Sequence, residues 1–250
     1  MFVRLLAVRV APVTGSGIAA PRGRASFGPL LRAIGVAAAL LAVRLETPDA
    51  RADGPTTDEN LHVVRWQVLK SHSGPVDYYQ AIDDPTMPFV RAQYRPPEAT
   101  TVLGVEIPDG DRKSAQRLRW QWRAMAFPVG GDECADGKHD SAADVYATWK
   151  SGLRWFTLKY VWSSVGTRGA VCDRKRNPFV AQDTVILESG GPAGVWRRED
   201  VDLKGDFRRH FADGDPQAQV PDFVGVGIMT DGDDTKSESA ADYADFVLVR

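Results

Sequence analysis

From about residue 60 onward, apolar and polar positions alternate in short runs broken by Gly, Pro, Asp and Ser. A period of two belongs to strands that bury one face and wet the other. It predicts strands over 61–69, 76–82, 88–94, 100–107, 116–127, 142–149, 154–163, 183–188, 195–203, 223–230 and 243–249. The breaks fall at turn formers such as Ser73-Gly74-Pro75, Pro96-Pro97, Pro108-Asp109-Gly110 and Ser189-Gly190-Gly191-Pro192. One helix is predicted from 206 to about 211, with Asp206 as its cap and Phe207 and Phe211 on one face. Many short strands between Gly/Pro turns specify an all-β fold, a jelly-roll-like β-sandwich of ten or eleven antiparallel strands with one short helix.

The clearest strand is 117–124. Leu118, Trp120, Trp122 and Ala124 point to the core, and Arg117, Arg119, Gln121 and Arg123 to solvent. The next two strands read as a hairpin around Lys150-Ser151-Gly152-Leu153, with Trp149 facing Arg154. In that register Asp144 lies opposite Lys159 as an ion pair and Tyr146 opposite Thr157, while Val145, Ala147, Phe156, Leu158, Tyr160 and Trp162 turn inward. Arg119, Gln121, Arg123, Asp144, Tyr146 and Lys159 are therefore the candidate ligand-binding set, expected to share one accessible sheet face. Directional hydrogen-bonding groups with an aromatic ring suit a carbohydrate-like polar ligand.

The same hairpin carries Cys134 and Cys172 towards its open end, which predicts a disulfide in an oxidising compartment. A zinc site from Cys134, His139 and Cys172 lacks a Cys-x-x-Cys spacing. Met229-Thr230-Asp231-Gly232-Asp233-Asp234-Thr235 is the densest acidic stretch. Asp231, Asp233 and Asp234 just past a strand make a candidate calcium site, although Lys236 stands where an EF-hand loop needs Gly. There is no Gly-x-Ser-x-Gly elbow, His-Glu-x-x-His, Walker loop or dinucleotide fingerprint. A glycan-active hydrolase or lyase on the same scaffold is the rival class, and it would need a second carboxylate facing Asp144.

The N-terminus points to export. Ten uncharged, mostly small residues from Ile34 to Val43 follow an arginine-bearing leader and precede Ala50-Arg51-Ala52. Together these make a secretory signal peptide over 1–52, cleaved after Ala52, with 53–250 forming a single domain. The apolar run is too short to span a bilayer, and nothing later approaches that length, so no transmembrane anchor is expected. The chain carries 31 Lys and Arg against 33 Asp and Glu. Loss of the arginine-rich leader makes the remainder more acidic, which argues against nucleic acid as a partner. A periplasmic or secreted location follows.

Several stretches also carry a resemblance, among them Leu118-Arg119-Trp120-Gln121-Trp122, Lys159-Tyr160-Val161-Trp162, Asp206-Phe207-Arg208-Arg209-His210-Phe211 and the run from Gly225 to Thr235. In their order and spacing, from about 89 to 250, the chain resembles a bacterial exported family catalogued as domain of unknown function 3047. The resemblance implies a β-sandwich-like fold and brings no established activity.

Overall fold

Alternation places one apolar face on each strand, and two such faces close on each other. The computed structural model describes residues 58–68 and 78–250. Its strands are β1 (Asp58–Asn60), β2 (Gln67–Val68), β3 (Tyr79–Ile82), β4 (Phe89–Tyr94), β5 (Leu103–Glu106), β6 (Arg117–Ala126) and β7 (Ala143–Ser151). They continue with β8 (Arg154–Ser163), β9 (Val171–Arg176), β10 (Val180–Ser189), β11 (Arg197–Asp202), the helix α1 (Leu203–Phe211), β12 (Asp222–Met229) and β13 (Ser239–Val249). The first sheet runs β11-β6-β13-β4-β3, with β1 also on β13; the second runs β2-β5-β12-β7-β8-β10-β9. This is a jelly-roll-like β-sandwich. The predicted signal peptide and the turn at Ser73-Gly74-Pro75 lie outside the described residues.

The core lies between the sheets. Trp120 packs on Tyr160 at 5.8 Å between ring centroids, and Trp122 on Trp162 at 5.8 Å, so β6 of the first sheet meets β8 of the second. Leu118, Trp120, Trp122, Val145, Leu158 and Ile228 are fully buried. In β13 two residues, Asp245 and Phe246, occupy the space opposite Trp120. This bulge has Asp245 at φ 53, a conformation Asp tolerates. It turns Phe246 inward to stack on Trp120 and leaves the Asp245 carboxylate outside.

Four expectations are corrected. The β7–β8 turn is the two-residue Gly152-Leu153, with Ser151 opposite Arg154, so Trp149 faces Phe156, Asp144 faces Val161 and Tyr146 faces Lys159. The slip is two residues, which leaves every side chain on its expected face. Asp202, not Asp206, caps α1, accepting from the amides of Lys204 and Gly205; Asp206 instead accepts from the Tyr160 hydroxyl at 2.8 Å. β9 is an additional strand, and β8 and β10 run parallel because β9 intervenes at the sheet edge before the chain returns. The long strand expected over 61–69 is a single 3₁₀ turn, Val63–Arg65, followed by the short β2.

Candidate functional site

Because Trp120 and Trp122 face inward, their neighbours on β6 form part of an outward polar face. Across the first sheet one row reads Gln80, Arg91, Asp242, Arg123 on β3, β4, β13 and β6. Asp242 is fully buried in the middle of that row. Arg91 clamps it through Nε and Nη2, both at 2.8 Å, and Arg123 donates to Oδ2 from Nε at 2.8 Å and Nη2 at 2.7 Å. The bond to Asp242 holds the Arg91 guanidinium still more firmly in its charged form. Arg123 is sandwiched between the rings of Trp196, at 4.5 Å, and Phe89, at 5.3 Å. Beside Arg91 the sheet carries a groove of about 290 Å³, lined by Tyr79, Gln80, Gln93, Arg95 and Glu98 as well as Arg91 itself. Gln80, Gln93, Arg95 and Glu98 are exposed. Burial keeps the phenol of Tyr79 neutral, far above its ordinary range.

The second sheet has its own outward face. One row there reads Cys172, Thr184, Lys159, Tyr146, Gly227, Gly104 on β9, β10, β8, β7, β12 and β5. The Cys134–Cys172 disulfide, with Cα atoms 5.4 Å apart, pins the connection between β6 and β7 beside this row. Glu133, next to Cys134, is thereby set against Lys159. Lys159 also meets Asp144 at 3.1 Å, Ser141 donates its hydroxyl to Asp144 at 2.6 Å, and the Ser141 amide donates to Asp231 at 2.8 Å. Carboxylate oxygens of Glu133, Asp144 and Asp231 lie within 4.8 Å of one another, as do those of Asp140, Asp231 and Asp233.

Electrostatics follow from enclosure. Burial pushes the Asp144 carboxyl up to about 7, and raises Asp231 and Glu133 as well. Burial works against charge on Lys159 too, but Asp144 and Glu133 overcome it and hold the ammonium well above the usual lysine range. The cluster can therefore hold protons or a hard cation, with Asp140, Asp231 and Asp233 as one set of oxygen donors, of which Asp233 is the exposed member. Glu133 and Asp231 are 4% exposed, Lys159 6% and Asp144 not at all, so no substrate-sized molecule reaches these carboxylates in this conformation.

The six expected ligand-binding residues do not share one surface. Arg119, Gln121 and Arg123 lie outside the first sheet, and Asp144, Tyr146 and Lys159 outside the second; the sheets pack through their aromatic faces, so these polar faces point apart. Arg119 is bound to Asp58, and Gln121 donates to Asp245 at 3.1 Å. Of the expected calcium ligands, Asp231 and Asp233 belong to one trio. Asp234 turns to His139 instead, accepting from its amide at 3.3 Å, and Asp140 takes its place. The disulfide engages both cysteines, which removes the zinc alternative. Glu133, Asp140, Asp242 and Trp196 carry weight that the linear pattern did not assign. Only Glu133 had a usable signal, its adjacency to a cysteine whose partner fixes its place.

Fold and faces together define a jelly-roll β-sandwich with two opposed polar sheet surfaces. A family model described as protein of unknown function (DUF3047) matches residues 65–247, and the chain belongs to that family. Among curated proteins none matches. Among solved structures, the chain is similar to the xyloglucanase domain of NopAA from Sinorhizobium fredii in complex with cellobiose, at 12% identity and TM-score 0.43, covering 74% of this chain and 93% of that one. It is also similar to the family 11 carbohydrate-binding module of Lic26A-Cel5E from Clostridium thermocellum, at 9% identity and TM-score 0.42, covering 78% and 95%. A third is endoglucanase 3 of family GH12 from Trichoderma harzianum, at 8% identity and TM-score 0.38, covering 80% and 99%.

Proposed function

We propose that this is an exported, non-catalytic binding module that takes a polar, glycan-like ligand on the outer face of the first sheet. The observation that carries the reading is the groove beside Arg91, whose exposed Gln80, Gln93, Arg95 and Glu98 offer amide, guanidinium and carboxylate groups along one edge. The row through Asp242 links that groove to Arg123 and Trp196. Sugars present dense hydroxyls and apolar ring faces, and are held by planar bidentate groups beside an aromatic ring. The Asp242 clamp fixes both guanidiniums in advance, which lowers the ordering cost of binding. Of the residues expected from sequence, Arg123 belongs to this face, with Arg119 and Gln121 extending it.

A glycan array with wild type, Gln93→Ala and Trp196→Ala tests the reading. Both substitutions are at solvent-accessible positions and spare the Asp242 clamp. Binding by wild type that falls in both variants is expected; equal binding by all three, or by none, removes the site. Export accompanies the proposal, with cleavage after Ala52. N-terminal sequencing of periplasmic or extracellular protein should begin at Asp53, and an intact N-terminus in the cytoplasm would refute it. A hydrolase is the second reading, favoured by the grouping of Glu133 and Asp231 beside Asp144. Glycosidases need an acid and a base flanking an accessible glycosidic bond. Enclosure of this cluster ranks that reading lower, and release of product from any glycan would reverse the order.

A further inference from the structure

Two tight turns leave the same end of the second sheet. β7 and β8 are joined through Gly152-Leu153, and β9 and β10 through Asn177-Pro178-Phe179. Since β8 and β10 run parallel with Val180 beside Trp155, the turns lie side by side, and the Trp155 amide donates to the Phe179 carbonyl at 2.8 Å. Gly152 takes φ 56, the left-handed conformation of a two-residue hairpin turn, and presents Leu153 outward. The Asn177 side chain accepts from the amides of Phe179 at 2.9 Å and Val180 at 2.8 Å, which holds the second turn. Leu153 is 80% exposed and Phe179 61%. Singly exposed apolar residues are ordinary; two large ones held on adjacent turn tips are not.

The surroundings are basic. Lys150, Arg154, Lys175 and Arg176 flank the tips, against Asp222, which registers opposite Lys150, and Asp183, which pairs with Arg176 at 2.7 Å. Lys150 lies over the Trp155 ring at 4.7 Å. A local excess of positive charge thus sits on a chain whose formal net charge is −2. We propose that this end of the sandwich docks on an anionic phospholipid surface, with Leu153 and Phe179 entering below the headgroups while the basic residues meet the phosphates. Charge complementarity supports that occupant, since anionic lipid attracts each nearby Lys or Arg and apolar tips reach the acyl boundary. The apolar contribution comes from two separate side chains, far short of the roughly 800 Å² per partner that a stable protein interface buries. The proposal is independent of the glycan face, which lies on the other sheet.

Co-sedimentation with glycan-free vesicles tests it, comparing phosphatidylcholine alone with phosphatidylcholine in which part is replaced by phosphatidylglycerol. Wild type should bind only the anionic vesicles and release at high salt. Leu153→Ser/Phe179→Ser, at exposed positions, should lower the partition coefficient by at least roughly ten-fold, and Lys150→Glu/Lys175→Glu should do likewise. Absence of binding to anionic vesicles at low salt overturns the proposal, as does undiminished binding by the Leu153→Ser/Phe179→Ser protein. Retention on heparin that is equal in wild type and that double variant, without vesicle binding, would identify a soluble polyanion instead and overturn it too.

Discussion

Trp122 and Glu199 show how one inward residue governs the chemistry of an edge. The Trp122 ring is wholly buried, yet its indole N–H donates to Glu199 on β11 at 3.1 Å. Burial pushes the Glu199 carboxyl up to about 7 from an ordinary 4.5, while the indole bond pulls the other way. A raised acid pKa means that the folded chain binds the proton more tightly than the unfolded one. The contribution of Glu199 to stability is therefore complete below about pH 4.5 and is lost as pH rises through 7. Urea midpoints across that window should fall with pH, and Glu199→Gln, which keeps an acceptor for Trp122, should flatten the fall. Parallel profiles for the two proteins would show that Glu199 is already ionised in the native state.

At the scale of the element, strands that bury one face were legible and the others were not. Alternation located β6, β7, β8 and β12 because Trp120, Val145, Leu158 and Val226 each sit between polar neighbours or glycines. β9, Val-Cys-Asp-Arg-Lys-Arg, shows no such alternation and ends in basic residues suited to a sheet edge, so its sequence looks like a loop. Hairpin register depends on the turn, and a two-residue turn where four residues were expected moved every partner while preserving faces. The Asp144–Lys159 ion pair survives as a diagonal contact for that reason. The buried carboxylate cluster was only half legible. Asp144 and Asp231 stand on or beside strands, whereas Glu133 and Asp140 arrive from a connection placed by tertiary contacts. The disulfide is what fixes that connection, across a sequence separation of 38 residues. In the chain-entropy model Cys134→Ser/Cys172→Ser should cost about 4 kcal/mol, read as a lower urea midpoint. Amide exchange over 130–141 should quicken selectively; uniform quickening would mean that the bridge acts only on the unfolded chain.

For the whole molecule, two polar sheet faces with different economies flank one aromatic core. On the first sheet the buried Asp242 meets opposite charge on both sides, from Arg91 and Arg123; on the second, Glu133 and Asp144 share Lys159 and a third buried carboxylate, Asp231, lies beside them, bonded to Ser141. That excess of acid next to Asp140 and Asp233 predicts weak calcium binding. A ligand that binds only the native state raises stability by about 1.4 kcal/mol at ten times its Kd. Melting temperature should rise with millimolar calcium relative to chelator, and less so in Asp233→Asn, a solvent-facing member of the trio. An unchanged wild-type melting temperature would mark 231–236 as a plain polar turn.

β1 pairs with β13, with Asp58 registered opposite Val249, and Arg250 reaches back to Glu59. Neighbouring strands place those backbones only about 5 Å apart. Among the described residues the first and last strands thus form one seam on the first sheet, so the order in which the chain visits its strands is separable from their arrangement. A short loop sewn across that seam, with new ends opened at an exposed turn elsewhere, would yield a circularly permuted sandwich carrying the same two faces.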